Sequence, residues 1–234
     1  MKAMIFAAGF GTRLRPLTDK TPKVMLPIGG QPLLKIILDR LYIAGIQEVV
    51  VNVHYLPDVI ERFLKNYQKY GMTIHISDES DAILETGGGL LRAQKYFDDG
   101  HPFLLANGDI LTNIDIELFA KAHQNLGGIA TLAVKDRPSN RKLLFSKDGS
   151  LIGRADDNAE GIALAFSGYH MINPDIFTHL TRQGKFSITD WYLDICQQEK
   201  IYAYLHPNDI WVDIGTVEKF NKANEVYQKN KPLF

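Results

Sequence analysis

Lys2-Ala3-Met4-Ile5-Phe6-Ala7-Ala8-Gly9-Phe10-Gly11-Thr12-Arg13-Leu14-Arg15-Pro16, followed shortly by Thr21-Pro22-Lys23, opens the chain. Met4 to Ala8 is apolar without polar alternation, the pattern of a strand covered on both faces, as in the parallel sheet of an α/β protein. Gly9 and Gly11 free the backbone to turn sharply and let amide groups approach an anion with no side chain in the way. Arg13, Arg15 and Lys23 add positive charge beside those amides, so the stretch predicts a strand-to-loop site for a polyphosphate. Two other glycine loops do not fit. A dinucleotide-binding fingerprint would carry a third glycine where Leu14 stands, and a Walker loop would need Gly-Lys-Ser/Thr.

Outward from this stretch, apolar spacing at Leu33, Leu34, Ile37, Leu38 and Leu41 predicts a helix over Pro32–Ala44 with a glycine stop at Gly45. Glu48–Val53 reads as a buried strand, Pro57–Tyr70 as a second helix ending at Gly71, and Met72–Ile76 as the next strand. This β-α-β rhythm implies a parallel sheet with right-handed crossovers. A helix opens at Glu85-Thr86-Gly87-Gly88-Gly89 and runs to about Tyr96, and His101–Ala106 is a further strand ending at Asn107-Gly108-Asp109. A helix near Ile116–Asn125 and a strand over Ile129–Val134 follow. Lys142 to Ile152 alternates around Asp148-Gly149 and predicts a hairpin that interrupts the rhythm. Gly161–Ile172 and Ile201–Leu205 read as strands, Ser187–Gln198 and Thr216–Gln228 as helices.

The 234 residues, 45% of them hydrophobic, suffice for one substantial α/β domain. A single domain over 1–234 is expected, in two halves at about 1–109 and about 110–234. With 26 basic and 27 acidic residues the net charge is -1, which gives no general pull toward nucleic acid or anionic membranes, so anion binding must be local. The first apolar run is too short for a signal peptide or a membrane span, and a cytoplasmic protein is expected. Cys196 reads as a buried small hydrophobe. His54, His101, His170 and His206 stand singly, without metal-ligand spacing, and Trp191 and Trp211 read as core or pocket-wall aromatics.

Asp109 and Asp213 each follow an apolar run, Phe103 to Ala106 and Ile210-Trp211-Val212. Both are therefore expected at carboxyl ends of strands, where the crevice of such sheets lies. Two carboxylates facing a polyphosphate suit Mg²⁺, a hard ion that takes oxygen ligands and bridges protein to phosphate.

Ala7 to Thr18 together with Pro22-Lys23 resembles the signature of the sugar-1-phosphate nucleotidylyltransferases, and Asn107-Gly108-Asp109 and Trp211-Val212-Asp213-Ile214-Gly215-Thr216 resemble that family's metal motifs. The resemblance implies a Rossmann-like three-layer α/β sandwich with a mostly parallel central sheet, the nucleotide-diphospho-sugar transferase fold, here with a small β-hairpin insertion. It also implies direct in-line attack of a sugar 1-phosphate on a nucleoside triphosphate, with release of pyrophosphate and no covalent enzyme intermediate. Arg13, Lys23 and Asp109 are then the catalytic candidates. Arg13 would hold the departing pyrophosphate, Lys23 would steady charge at the α-phosphorus, and Asp109 with Asp213 would hold Mg²⁺. Ala8, Gly9, Gly11, Thr12, Arg13 and Lys23 would line the nucleotide, with Gly87 or Gly88 edging the base and ribose.

Leu84-Glu85-Thr86-Gly87-Gly88-Gly89 looks most like the loop of the N-acetylmuramate-1-phosphate uridylyltransferases used in cell-wall recycling, which implies UTP. Mannose-1-phosphate guanylyltransferases usually show Gly-Thr-Ala-Gly there. Phe166-Ser167-Gly168 also resembles the muramyl group, so Asn107, Glu85 and Gly168 are the sugar-side candidates. Two departures stand out: Asp156 to Gly161 lacks the Glu-Lys-Pro of many members, and Pro22-Lys23-Val24 replaces the usual Pro-Lys-Pro. A guanylyl- or cytidylyltransferase acting on mannose, heptose or another phosphorylated group is the alternative enzyme, and a non-catalytic sugar-nucleotide sensor the alternative class. Some relatives carry a C-terminal hexapeptide-repeat domain, which is not expected in a chain whose closing helix is followed by Phe234. The expected partners are a nucleoside triphosphate and a sugar 1-phosphate, with no nucleic acid or membrane, in a monomer or small homo-oligomer.

Overall fold

The computed structural model describes residues 1–67, 71–155, 160–180 and 182–234. The strands are β1 (Lys2–Phe6), β2 (Pro27–Ile28), β3 (Gln31–Pro32), β4 (Glu48–Val53), β5 (Thr73–Asp78), β6 (Phe103–Asn107) and β7 (Ile110–Thr112). They continue with β8 (Ala130–Lys135), β9 (Leu143–Phe145), β10 (Leu151–Arg154), β11 (Ile162–Ile172), β12 (Ile201–Leu205) and β13 (Trp211–Asp213). The helices are α1 (Leu33–Ile43), α2 (Pro57–Asn66), α3 (Glu85–Ala93), α4 (Ile116–Leu126), α5 (Ile188–Ile195) and α6 (Val217–Asn230). The helix expected to reach Tyr70 is described to Asn66, and residues 68–70 lie outside the described set, as do 156–159 of the segment that departs from Glu-Lys-Pro. Among the described residues no helix is long and apolar enough to cross a membrane.

Two compact units divide the chain: residues 1–83, 106–114 and 209–234 form the first, and 84–105 and 115–208 the second. In the first, β1, β4 and β5 form a parallel ladder, with Ile5 opposite Val51 and Val51 opposite Ile76. Ala3, Met4, Ile5 and Val49 to Val51 are wholly buried, which is why these strands read as unbroken apolar runs. A buried polar network ties together the carboxyl ends of the three strands. Ala7 N–H donates to Asn52 Oδ1 at 2.6 Å, Asn52 Nδ2 donates to Glu79 Oε1 at 2.8 Å, and His54 Nδ1 lies 2.6 Å from the Glu79 carbonyl. The glycine loop therefore leaves β1 from a fixed point.

The β2–β3 hairpin turns through Gly29 and Gly30, both in the left-handed region. It seats α6: Gly29 N–H donates to Asn224 Oδ1 at 2.9 Å and Gln31 Nε2 to Tyr227 OH at 2.6 Å. A methyl group on Gly29 would lie 2.3 Å from the Tyr227 ring, so only glycine permits this approach.

Asp213 stands at the carboxyl end of a strand, as expected, but that strand is outside the parallel ladder: Asp213 is the last residue of β13, which pairs antiparallel with β7 in a separate two-stranded sheet. Each strand has three residues, too few for a periodic pattern to show. Side chains secure the pair, with Thr112 Oγ1 donating to the Ile210 carbonyl at 2.7 Å and Ile210 N–H to Asn113 Oδ1 at 2.6 Å.

In the second unit β8 lies between β11, antiparallel, and β12, parallel, while β9 joins β11 to β10. The hairpin predicted around Asp148-Gly149 is β9–β10, with Gly149 at φ 83°. His170 and His206 are buried: His170 Nδ1 is 2.7 Å from Tyr192 OH, and His206 Nε2 is 2.8 Å from Ser167 Oγ. Burial pushes His170 down to about 3, and burial with the charges of Lys135 and Arg137 pushes His206 down to about 4.

Between those values and the ordinary pKa of about 6.5, the unfolded chain takes up protons that the folded chain refuses, so stability falls as pH drops through that window. Urea midpoints measured from pH 7 to pH 4.5 are expected to decline, with a shallower decline in His206→Gln. Equal slopes for the two proteins would remove His206 from the account.

Candidate active site

The first unit brings Arg13, Lys23, Asp109 and Asp213 together by backbone geometry. β1 ends at Phe6, and the loop turns at Gly11, whose left-handed backbone, φ 64°, precedes a short turn at Thr12–Leu14. A methyl group on Gly11 would meet Thr18 Cγ2 at 2.9 Å and Lys23 Cβ at 3.2 Å, so the glycine lets the loop fold onto the segment that carries Lys23. Thr18, buried, donates to the Gly11 carbonyl at 2.8 Å, and Tyr55 OH donates to the Thr18 carbonyl at 3.0 Å. Phe10 packs edge-on against His54 and Tyr55 at ring-centroid distances of 5.3 and 5.5 Å. The space beside Gly9 is open, and Gly9 is exposed with Ala8 partly so, leaving that backbone accessible to an anion.

Lys23 Nζ donates to Asp109 Oδ2 at 2.5 Å, with the lysine side chain 12% exposed. Asp109 is held from behind. Gly108 N–H donates to the Phe6 carbonyl at 3.0 Å, and a methyl group on Gly108 would lie 2.6 Å from that oxygen and 2.8 Å from Val24 Cγ1. The glycine of Asn107-Gly108-Asp109 thus allows the turn carrying Asp109, between β6 and β7, to lie against both the end of β1 and the Lys23 segment.

Asp213 stands opposite Ile110 in the β7–β13 ladder, and Ile214 N–H donates to the Asp109 carbonyl at 3.0 Å. The two aspartates are therefore neighbours at one end of the β7–β13 pair. Gly215 N–H donates to Asp213 Oδ1 at 3.0 Å, and a methyl group on Gly215 would lie 3.2 Å from Arg13 Nη2, which brings the Arg13 guanidinium to the same place. Arg15 pairs with Asp19 at 3.5 Å on the exposed surface.

Two features were not anticipated. Asp213 Oδ2 accepts a bond from Lys219 Nζ at 2.5 Å, so both aspartates carry a lysine ammonium. Its one sequence signal is a cation in the first turn of the helix after Asp213-Ile214-Gly215-Thr216, where the helix dipole disfavours positive charge. The other is the Asn52–Glu79 network, whose members look like ordinary strand residues.

Asp109 and Asp213 fit Mg²⁺ by donor chemistry: two neighbouring carboxylates, each already holding a compact cation on one oxygen. Among the described residues no group of three or more His, Cys, Asp or Glu could hold a metal. Phosphate and water would complete the coordination.

The remaining candidates divide. Asn107 belongs to the first unit, and its Oδ1 is buried without a hydrogen-bond partner. Glu85, Gly87, Gly88 and Gly168 belong to the second. Gly87 and Gly88 are buried, and both N–H groups donate to the Phe186 carbonyl, at 2.9 and 3.4 Å. Methyl groups there would lie 2.2 Å from the Phe186 ring and 2.1 Å from the Gly184 carbonyl oxygen, so these glycines serve close packing of α3 in the first place. Glu85 is left-handed at φ 58° and faces Lys185 Nζ at 3.5 Å. Gly168, at φ 83°, sits where the β11–β8 register shifts, at a bulge. Cys196 is half-buried, and burial pushes its thiol up, away from reactivity.

Residues 2–145 match the Nucleotidyl transferase family. The chain belongs to that family. The N-acetylmuramate alpha-1-phosphate uridylyltransferase of Neisseria meningitidis serogroup B is 35% identical over 95% of this chain and 96% of its own length. The probable mannose-1-phosphate guanylyltransferase 3 of Oryza sativa subsp. japonica is 30% identical over 97% of this chain, which spans 64% of that protein. Among solved structures, HddC from Yersinia pseudotuberculosis, complexed with GMP-PN, matches with a TM-score of 0.79 at 24% identity, over 97% of this chain and 99% of that one. A UDP-glucose pyrophosphorylase complexed with UDP-glucose matches with a TM-score of 0.81 at 20% identity, over 97% and 98%. The nucleotidyltransferase has the mixed α/β fold of these neighbours, with a largely parallel central sheet.

Gly108→Ala tests the backbone account of this site. Overpacking against the Phe6 carbonyl is expected to cost about 1–3 kcal/mol in urea denaturation. Unchanged stability would mean that Asp109 is not seated by this contact.

Proposed function

We propose that this nucleotidyltransferase couples a nucleoside triphosphate, UTP first, to a sugar 1-phosphate, N-acetylmuramate 1-phosphate first, and releases pyrophosphate. The reaction rests on one observation: Lys23, Arg13 and the adjoining aspartates 109 and 213 converge beside the glycine loop. A sugar-phosphate oxygen attacks the α-phosphorus, the bond from that phosphorus to the β-phosphate oxygen breaks, and pyrophosphate leaves with the electron pair. Both reactants are anions, so the protein's work is to neutralise and align them.

In this account Arg13 binds the departing pyrophosphate and Lys23 turns from Asp109 toward the α-phosphate, while Ala8, Gly9, Gly11 and Thr12 border the nucleotide. Asp109 and Asp213 would hold Mg²⁺, which when bound supplies positive charge at the α-phosphate. Asn107, with its unsatisfied buried carbonyl, offers an acceptor for a sugar hydroxyl or amide. Glu85 and Gly168 are assigned to sugar recognition in the second unit, where the strained Glu85 backbone is the kind of conformation that function maintains. The choice of substrates follows the Neisseria meningitidis enzyme, which this chain matches almost end to end, and the Leu84–Gly89 loop. With that product the enzyme would serve cytoplasmic cell-wall sugar recycling. The rice relative supports a second assignment, GTP with mannose 1-phosphate.

Pyrophosphate release with Mg²⁺ across UTP, GTP, CTP, dTTP and ATP against N-acetylmuramate, N-acetylglucosamine, glucose and mannose 1-phosphates separates these. Turnover with UTP and N-acetylmuramate 1-phosphate is expected, turnover confined to GTP and mannose 1-phosphate moves the chain to the second assignment, and nucleotide binding without any turnover opposes both. On the productive pair, Lys23→Ala is expected to lower kcat on the order of 10²-fold or more. A loss confined to KM would place Lys23 in binding alone.

A further inference from the structure

Lys219 stands where helix electrostatics disfavour a cation. It is the third residue of α6, within the turn whose outward N–H groups carry partial positive charge. The Thr216 hydroxyl caps that turn by accepting the Lys219 N–H, and Glu218 supplies acidic charge, so the helix needs nothing from the Lys219 ammonium. The ammonium reaches back instead to Asp213 Oδ2 at 2.5 Å, while the other carboxylate oxygen accepts Gly215 N–H. α6 is seated independently, through Asn224 and Tyr227 on the β2–β3 hairpin. The fold, and not the ion pair, directs this cation at Asp213.

The two lysine–carboxylate pairs differ in how easily they open. The Lys23 side chain is 12% exposed, whereas that of Lys219 is 51% exposed. A pair whose lysine is this open is weak, because water hydrates the ammonium as soon as it leaves the carboxylate, even though the Asp213 side chain is itself 21% exposed. We propose that Lys219 is a placeholder cation. It neutralises Asp213 while the divalent ion is absent and yields the carboxylate when that ion binds, so the site never presents two bare aspartates to a polyphosphate. Lys23, enclosed and close to Gly11, is the lysine that turns to the phosphate. The proposal rests on the assignment of Asp109 and Asp213 to the metal.

The test uses Mn²⁺ alone, titrated into the nucleotide-free protein, with the free ion counted by electron paramagnetic resonance. Lys219→Met is expected to tighten Mn²⁺ binding roughly two- to fivefold, the loss of a competitor worth as much as a solvent-exposed ion pair, while Lys219→Arg stays near the wild type. Asp213→Asn is expected to abolish the site. Equal or weaker binding by Lys219→Met, with the site still lost in Asp213→Asn, overturns the placeholder role and leaves the metal assignment standing. Wild-type Mn²⁺ affinity in Asp213→Asn overturns the metal assignment and the placeholder together. The side chain of Lys219 is exposed, and a circular dichroism melt of each variant separates lost binding from lost fold.

Discussion

The antiparallel ladder between Ile110–Thr112 and Trp211–Asp213 is the constraint on which the rest of the site depends. Three residues on each side, secured by Thr112 and Asn113, bring a carboxylate from the middle of the chain beside one from near its end. Without that ladder Asp213 would have no fixed relation to Asp109. With it, the Ile214 N–H to Asp109 carbonyl bond leaves the two side chains on adjoining backbone. Two carboxylates set on paired backbone keep their relative geometry without help from a third.

Charge balance is the second consequence. Two aspartates set side by side repel each other, and an empty pair would also repel an incoming triphosphate. Lys23 and Lys219 offset this, one on each carboxylate. They arrive from different elements, Lys23 from the segment after the glycine loop and Lys219 from α6, yet the β2–β3 hairpin links the two, since it follows the first segment and seats the second. A local cluster of this kind reconciles a net charge of -1 with an enzyme whose substrates are anions.

The glycine loop is supported from below. Asn52 and Glu79 convert the ends of three parallel strands into one hydrogen-bonded unit, and Ala7 takes part through its N–H. Gly108 brings the turn that carries Asp109 against β1 where any side chain would collide with the Phe6 carbonyl. In the second unit the same device recurs in a different place, with Gly87 and Gly88 admitting Phe186 and Gly184 to the flank of α3. Glycines that look interchangeable in the sequence thus divide by environment. Gly9 borders open space, whereas Gly87, Gly88 and Gly108 fill tight contacts.

The chain's periodicity and its motifs were enough to name a buried strand at Met4–Ala8, where the structure has Lys2–Phe6, the buried strand Glu48–Val53, the strand Ile201–Leu205, the helices from α1 to α6 and the Asp148-Gly149 hairpin, and to single out Arg13, Lys23, Asp109 and Asp213 as candidates. These were legible because they depend on short-range physics: burial on both faces, glycine at sharp turns, and charge beside a turn. The β7–β13 pairing, the Lys219–Asp213 bond, the Asn52–Glu79 network and the interleaving of two compact units were not legible. Each depends on which distant segments meet. A three-residue strand has no period to reveal it, and a lysine on an exposed helix turn has a carboxylate partner only once the chain has folded back. Local sequence determined the glycine turns and the charged side chains beside them, and tertiary structure decided which of those side chains come together, because only packing sets distances across the chain.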